Sequence, residues 1–287
     1  MHPRLAVVRR MAGAHSPARL ALKAATDRAL EGAERVSGRT RSLDELAAAG
    51  PSRAIVLAGI YVDDAGLFGG VVEAARASRH DAEVVLGTMA PAPVAQLRDV
   101  TVATGLRGGK FPNLNATLAH ARIRAPRWTL LVDSDVRLPA RFVDRFVALA
   151  EAFDFAIAQP ALSLRSYHSH AITRRRPWSV ARETRFVEIG PLTAFRDDAA
   201  RHLLPFDESV GMGWGLDLHW PAVAVRHGLR MGIIDATPVG HEEEPFGTNY
   251  SAAAAEREAA AWLAGRASLS RAEAQRVIAR HTRVPVA

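Results

Sequence analysis

The sequence predicts an α/β fold, with a mixed, mostly parallel central sheet flanked by helices and with additional helices at both ends of the chain. Two observations predict it. Short apolar segments of strand length alternate with helix-length segments from residue 51 to about residue 245. The apolar segments are hydrophobic throughout, which is typical of strands buried on both faces. This combination favours a sheet covered by helices on both sides.

The predicted elements follow one another in a regular order. Residues 1–50 are rich in Ala and Arg and predict one or two helices, which end at Gly50-Pro51. Strands are expected at residues 54–62, 82–87, 100–103, 128–132, 155–158, 186–195 and 231–234. Helices are expected at residues 65–79, 113–124, 139–152, 197–204 and 216–228, and in the tail from about residue 251. The polar, basic and aromatic composition of residues 163–182 predicts a loop.

The pattern divides the 287 residues into three parts. Residues 51–245 are the expected α/β domain, and residues 1–50 and 246–287 are helical extensions. The hydrophobic fraction of 48% and the charged fraction of 23% are ordinary for a globular protein. This composition excludes an intrinsically disordered chain and a collagen-like one.

Cysteine is absent from the chain, which excludes disulfide scaffolds, cysteine-bound zinc, iron–sulfur clusters and thiol nucleophiles. The net charge of +7 would suit polyanionic partners. We interpret this charge mainly as a bias in the amino-acid composition, because the chain is also rich in Ala. No segment reaches the ~18 consecutive apolar residues of a membrane span, and the apolar run near the N-terminus is too short for a signal peptide. We therefore expect a soluble, cytoplasmic protein.

The sharpest motif is Asp133-Ser134-Asp135, directly after the apolar strand at 128–132. In such sheets, ligands bind outside the carboxyl ends of the strands. Two carboxylates there can bind one hard cation such as Mg²⁺ or Mn²⁺ together with substrate phosphates. The alternative is that the acids only cap the next helix.

Glycine-rich turns precede two of the predicted helices. The first carries Lys110 and can hold phosphate at a helix N-terminus, or it is a plain turn capped by Asn113. The second, residues 211–217, can present Trp214 as a stacking wall and Asp217 as a base. The alternative is a buried Trp and an acid that starts a helix. Further along, His241 follows a strand and a glycine and is either a metal ligand or a structural histidine.

In this order, the motifs resemble those of GT-A glycosyltransferases, especially family-2-like enzymes. Segment 109–135, with Asn115 on its helix, is similar to the first signature of that family. Phe206-Asp207-Glu208, followed by a glycine-rich turn and Asp217, is similar to the second. The resemblance covers roughly residues 52–245 and implies a Rossmann-like, nucleotide-binding catalytic domain.

The resemblance implies metal-dependent transfer of a sugar from a nucleotide-diphosphate donor to an acceptor hydroxyl. It places Mn²⁺ or Mg²⁺ on Asp133, Asp135 and His241. It implies donor contacts by Tyr61, Asp63, Lys110, Asn115, Asp133 and Trp214. The implied general base is Asp217; the usual Glu-Asp pair is absent, so Glu208 and Glu188 are substitutes. Inversion is favoured over retention, because no second carboxylate stands out as a nucleophile.

The implied acceptor is a glycan, a lipid-linked molecule or a small molecule. Loop 163–182 is a candidate acceptor lid, and its arginines and Trp178 suit an acidic or lipid-linked acceptor. The favoured alternative is a solvated basic loop. A peripheral contact with the inner membrane face is left open, and no nucleic acid is expected as a partner.

Two other functions stay open at this point. One is a Mg²⁺-dependent nucleotidyltransferase, which also uses paired acids on an α/β sheet. The other is a non-catalytic basic protein that binds nucleic acid or membrane; the aromatic fraction of 6% and the absence of a nucleic-acid-binding motif count against it. The sequence does not determine the sugar, the nucleotide, the acceptor or the oligomeric state.

Overall fold

The computed structural model describes residues 17–241 and 251–286. Its strands are β1 (Ala54–Tyr61), β2 (Asp81–Thr88), β3 (Thr101–Ala103), β4 (Trp128–Val132), β5 (Val136–Arg137), β6 (Phe155–Leu162), β7 (Ala181–Thr184), β8 (Leu192–Arg196), β9 (Arg230–His241) and β10 (Val277–His281). Its helices are α1 (Pro17–Val36), α2 (Arg39–Ala49), α3 (Phe68–Arg76), α4 (Lys110–Leu118), α5 (Phe142–Ala152), α6 (Asp197–Leu203), α7 (Leu216–Arg226), α8 (Ala252–Leu263) and α9 (Arg271–Ala274).

Nine of these strands form one mixed sheet in the order β10-β7-β9-β6-β8-β4-β1-β2-β3, and β5 lies off this order and pairs with β9. Parallel pairs join β3, β2, β1 and β4 in one half, and β6 and β9 in the other. Strand β8 lies between the halves and runs antiparallel to both β4 and β6. Strand β7 also runs antiparallel to its neighbours β9 and β10. The predicted mixed, mostly parallel sheet is confirmed.

Both faces of the central strands β4 and β6 are buried, as their apolar segments predict. Along β4, successive side chains point to opposite faces. Leu130 packs in the apolar cluster with Phe142 and Phe146 of α5. Leu131 packs on the other face with Phe111 of α4 and Trp220 of α7. The carboxyl end of β4 is therefore held in place by helices from both sides.

Two strands lie where the sequence predicts a loop or a helix. Strand β7 begins in the last two residues of the expected loop 163–182 and continues beyond it, and β10 falls in the tail that was expected to be helical. The sequence does not indicate a strand at β7, because its charged residues suggest an exposed segment. In the structure, Arg182 is buried and pairs with Asp235 of β9 at 2.8 Å. A charged side chain inside a sheet is tolerated only when it is paired in this way.

The predicted strand at 186–195 is shorter in the structure and begins at Leu192. Before it, the backbone leaves the sheet ladder, and the N–H of Glu188 donates to the side chain of Gln159. The Gly190–Pro191 peptide bond in this segment is cis. Residues 186–191 therefore form a loop at the edge where β4 ends.

The N-terminal helix contacts the loop after β6. The carboxylate of Asp27 in α1 accepts hydrogen bonds from the backbone N–H groups of Leu164 and Arg165, both at 3.1 Å. The buried Arg175 guanidinium donates to Glu34 of α1 at 2.6 Å. Helix α1 thus supports one side of loop 163–176. In the described part of the chain, no helix is long and apolar enough to cross a membrane.

Candidate active site

The Asp133-Ser134-Asp135 turn lies at the carboxyl end of β4 and is fixed by two neighbouring loops. The N–H of Asp133 donates to the carbonyl of Pro191 at 2.9 Å, and the carbonyl of Ser134 accepts from the N–H of Leu67 at 2.6 Å. Gly66 has a φ of +51° and lies so close to the Ser134 carbonyl that a side chain at Gly66 would collide with it. Backbone contacts therefore set the direction of both aspartates.

Asp135 and His241 form a pair. The Nε2 atom of His241 lies 3.0 Å from Oδ2 of Asp135. The Nδ1 atom lies 3.2 Å from the carbonyl of Tyr167, and a carbonyl can only accept, so Nδ1 carries a hydrogen. This backbone contact directs Nε2 towards Asp135, which is how metal-binding histidines are commonly oriented.

The electrostatics of this pair favour charge on both partners. Burial lowers the pKa of the His241 imidazole, but the hydrogen bond to Asp135 and the carboxylate charge outweigh it and raise the pKa above its ordinary value. Burial raises the pKa of Asp135, but the hydrogen bond and charge of His241 lower it below its ordinary value. Asp135 is therefore ionised at neutral pH, and a metal ion bound by this pair would have to replace the proton on Nε2 of His241.

Asp133 is engaged by Lys110 instead. The Lys110 ammonium lies 2.6 Å from Oδ1 and 2.8 Å from Oδ2 of Asp133, and 3.1 Å from the carbonyl of Ile189. Gly190 leaves the space for this ion pair, because a Cβ there would lie 2.5 Å from Oδ2 of Asp133. A side chain at Gly190 would therefore displace the two side chains of this ion pair.

The three predicted metal ligands are only partly brought together. Within residues 17–241 and 251–286, no three His, Asp or Glu side chains converge in an arrangement that would hold a metal ion. The carboxylate of Asp133 is paired with Lys110 instead. Asp135 and His241 supply one carboxylate and one oriented imidazole, and this donor set fits a divalent cation that takes its remaining ligands from phosphate oxygens and water.

The two glycine-rich turns pack against each other. The N–H of Phe111 donates to the carbonyl of Gly211 at 3.0 Å. A Cβ at Gly109 would lie 2.5 Å from the backbone of Gly211, and one at Gly213 would collide with the Phe111 ring. Only glycine, which has no side chain, allows the two turns to approach this closely. The contact between the turns places Asp217, in the first turn of α7, near the loop before β8.

Two carboxylates in this region have raised pKa values. Burial raises the pKa of Asp217 to about 6. Burial, with a contribution from the charge of Asp217, raises the pKa of Glu188 to about 7. The Ser169 hydroxyl donates to the Glu188 carboxyl group, whose Oε2 atom is buried without a hydrogen-bond partner. Carboxylates with pKa values near neutrality are suited to general-base catalysis.

His170 lies beside Asp217, and the sequence did not single it out. Its Nε2 atom is 4.0 Å from Oδ2 of Asp217, and its Nδ1 atom is 2.9 Å from the amide nitrogen of Gln275. The imidazole also meets the ring of Phe186 edge to face at 4.7 Å between centroids. No local pattern marks this cluster, since His170 and Gln275 are 105 residues apart and meet only in the folded chain.

The residues expected near the nucleoside differ in accessibility. Tyr61 is 1% exposed, and its hydroxyl lies 2.9 Å from that of Thr101, because alternation along β1 turns this side chain into the core. Asp63 is exposed just after β1. Direct contacts of Tyr61 and Asp63 with a donor stay predictions.

The remaining predicted residues lie around the glycine-rich turns. Both polar atoms of the Asn115 amide are used by the backbone of Phe206, at 2.7 and 2.9 Å, so this side chain ties α4 to the loop before α7. Glu208 is exposed, and Trp214 is partly exposed. Their roles, and a donor contact of Asn115, stay predictions.

No model of a known protein family matches the chain, and no curated protein matches it. Solved structures, in contrast, do match the chain. The structure of GalNAc-T7 with UDP, GalNAc and Mn²⁺ aligns with a TM-score of 0.51 at 10% identity, over 70% of this chain and 45% of that chain. The mannosyltransferase PcManGT from Pyrobaculum calidifontis, in complex with GDP-Man and Mn²⁺, aligns at 0.45 and 18% identity, over 74% and 65%.

TarS from S. aureus in complex with UDP aligns with a TM-score of 0.47 at 11% identity, over 65% of this chain and 59% of that chain. The chain thus spans less than two thirds of the length of each of these three proteins. At such identities the likeness concerns the fold, and the alignment with GalNAc-T7 confirms that this chain has the GT-A-type fold that its motifs predict.

Proposed function

We propose that this protein transfers a sugar from a nucleotide-sugar donor to an acceptor hydroxyl with the help of Mn²⁺ or Mg²⁺. One observation carries the proposal: Asp135 and the backbone-oriented imidazole of His241 meet at the carboxyl end of β4. Ligands bind at this edge of α/β sheets. The solved structure of GalNAc-T7 with UDP, GalNAc and Mn²⁺ lends support through the shared fold.

On the donor side, Asp135 and His241 would hold the cation, and Asp133 would join them when Lys110 releases it. The cation, when bound, neutralises charge on the departing nucleoside diphosphate. Lys110 lies close enough to share this task, since its ammonium already contacts a carboxylate of the same turn. Asp63 and Trp214 are accessible to a bound donor. Tyr61 and Asn115 would act indirectly, by fixing the loops that carry the donor contacts.

On the acceptor side, Asp217 is the proposed general base. It is largely buried, with a side chain 15% exposed, and burial raises its pKa to about 6. A base in this range is ionised at pH 7 and still has appreciable proton affinity. A single base fits direct displacement with inversion. Glu188, with its higher pKa, is the second candidate, and Glu208 is the third.

The test measures ligand-induced stabilisation. We expect at least one of UDP, GDP and their sugar derivatives to raise the melting temperature of the protein in Mn²⁺ but not in excess chelator. A ligand at a hundredfold excess over its Kd stabilises the native state by about 2.7 kcal/mol. Asp135→Asn should remove the effect. Asp99→Asn, an exposed acid before β3 with the same charge change, should retain it.

Stabilisation that is equal in chelator, or equal in Asp135→Asn and wild type, would contradict the metal site. The product distinguishes the competing enzyme class. Turnover of the stabilising nucleotide sugar should release a nucleoside diphosphate, whereas a nucleotidyltransferase would release pyrophosphate.

A further inference from the structure

The C-terminal segment reaches the acceptor side of the site. Helix α9 begins at a capping box, in which the N–H of Glu273 donates to the Ser270 hydroxyl and the Ser270 N–H donates to the Glu273 carboxylate. Just before it, the N–H of Leu269 donates to the carbonyl of Leu218 in α7 at 2.9 Å. These contacts fix Gln275, which follows α9, next to His170.

The contact between Gln275 and His170 determines which ring nitrogen carries the proton. The amide nitrogen of Gln275 can only donate, so Nδ1 of His170 accepts. The proton of the neutral ring is then on Nε2, the atom that faces Asp217. Burial, with the nearby charge of Arg271, lowers the pKa of His170 to about 4, so the ring is neutral at pH 7.

Nε2 of His170 and Oδ2 of Asp217 lie at a distance that one oxygen atom beside them can bridge. The 4.0 Å between Nε2 and Oδ2 is too long for a direct hydrogen bond. An oxygen at about 2.8 Å from both atoms would bridge them. It would accept from Nε2–H and donate to the carboxylate, which a hydroxyl can do, whereas an ammonium cannot accept and a carboxylate cannot donate.

We propose that His170 and Asp217 together hold the acceptor, that the reacting group of the acceptor is an uncharged hydroxyl, and that Gln275 is a positioning residue that fixes the His170 ring. The inference rests on the proposed function. The hydroxyl oxygen forms a bond to the anomeric carbon as the bond from that carbon to the diphosphate oxygen breaks. Its proton passes to Asp217, and the electron pair leaves with the nucleoside diphosphate.

The first test reads the His170 tautomer directly by nitrogen-15 NMR of the imidazoles at pH 7.5, with the His170 signals assigned by their loss in His170→Gln. We expect the Nε2-protonated form in wild type. Gln275→Glu replaces the donor with an acceptor and should move the proton to Nδ1 or charge the ring. The matched control is Arg276→Gln, an exposed neighbour in the same turn, which should leave the signals unchanged.

An Nδ1-protonated ring in wild type, or an unchanged ring in Gln275→Glu, would overturn the assignment. Because this readout needs no donor, it is independent of the proposed function.

The second test uses water as the probe for the hydroxyl position, by measuring hydrolysis of the nucleotide sugar that stabilises the protein in Mn²⁺. We expect kcat to fall about tenfold in Gln275→Leu and about a hundredfold in Gln275→Glu, within the usual range for disrupted acid–base groups. The KM for the nucleotide sugar should change less than twofold, because the donor side is intact. Arg276→Gln should behave like wild type.

Unchanged kcat in both Gln275 variants, or a changed KM with an unchanged kcat, would overturn the positioning role. Failure of the proposed function has a different signature: no nucleotide sugar would stabilise even the wild-type protein. In that case the proposal that His170 and Asp217 hold an acceptor would be wrong as well. The NMR result would then describe only a structural contact between Gln275 and His170.

Discussion

The ammonium group of Lys110 contacts both carboxylate oxygens of Asp133, at 2.6 and 2.8 Å. The carboxylate of Asp133 is therefore already paired with a positive charge. It lies in the turn where the proposed divalent cation would bind. A metal ion has to compete with Lys110 for this carboxylate. A nucleoside diphosphate offers Lys110 another anion, so donor binding should release Asp133 and strengthen metal binding.

The first prediction concerns Lys110→Met. Removing the competing charge should raise the affinity for Mn²⁺ in the absence of nucleotide about tenfold, which corresponds to roughly 1.4 kcal/mol. The same variant should bind UDP and GDP more weakly in Mn²⁺, because a phosphate partner is lost. Electron paramagnetic resonance of free Mn²⁺ measures the first effect. Arg107→Met, an exposed residue of the same loop, controls for net charge, and equal Mn²⁺ affinity in the two variants would contradict the competition.

The second prediction tests the space beside the ion pair. In Gly190→Ala the new Cβ would lie 2.5 Å from Asp133 Oδ2 and 2.8 Å from the Lys110 ammonium, so the pair must separate or move. We expect the affinity for UDP or GDP in Mn²⁺, measured by calorimetry, to fall at least tenfold. The matched control is Gly69→Ala in α3, where a Cβ would meet nothing within 4 Å. Unchanged affinity in Gly190→Ala would show that the contact has no role.

The sequence predicts one half of this site better than the other. Strand β4 is almost entirely apolar because both of its faces are buried. Its end, and the two acids that follow it, can therefore be identified from the sequence. The pairing of Val136 with His241 then brings the predicted histidine to Asp135. The contact of Lys110 with Asp133 is not visible in this way, because it depends on the space at Gly190.

The acceptor side could not be predicted because its contacts are all long-range. His170 and Gln275 belong to a loop and to a tail segment that no sequence pattern connects. Strand β7 carries Arg182, whose charge predicts an exposed loop unless its partner Asp235 is known. Periodic patterns report which face of an element is buried, but they do not report which polar side chains meet.

The third prediction concerns Glu188 and pH in the metal-free protein. Burial, with a contribution from Asp217, raises its pKa in the folded chain to about 7, from an ordinary value of 4.5. The folded chain therefore holds this proton more tightly than the unfolded chain, and Glu188 destabilises the fold increasingly as the pH rises from 4.5 to 7. Glu188→Gln cannot ionise, so its stability advantage over wild type should grow over this range, reaching at most about 3 kcal/mol at pH 8.

Urea denaturation in chelator at pH 5 and pH 8 measures this difference. Glu208→Gln, at the exposed acid of the predicted second signature, is the control, and its effect should be small at both pH values. An advantage of Glu188→Gln that is the same at pH 5 and pH 8 would contradict the raised pKa.

The fourth prediction compares a buried ion pair with a partly exposed one; both pairs join β7 to β9. Arg182 and Asp235 are buried at 2.8 Å, and the Arg182 guanidinium also donates to the carbonyls of Ile172 and Arg174, so it anchors the loop that leads into β7. Arg182→Met leaves the Asp235 carboxylate buried with no cationic partner and should lower the free energy of unfolding by about 3–5 kcal/mol.

The control for this comparison lies on β9. Arg230 pairs with Glu183 at 2.6 Å, but its side chain is 37% exposed. Water can replace the lost contact there, so Arg230→Met should cost less than about 1 kcal/mol. Both variants remove one arginine from the same sheet, so urea denaturation at pH 7 compares them at equal net charge. Similar losses in the two variants would mean that burial of Asp235 does not determine the stability of this region, and that loop 163–176 is held mainly by its contacts with α1.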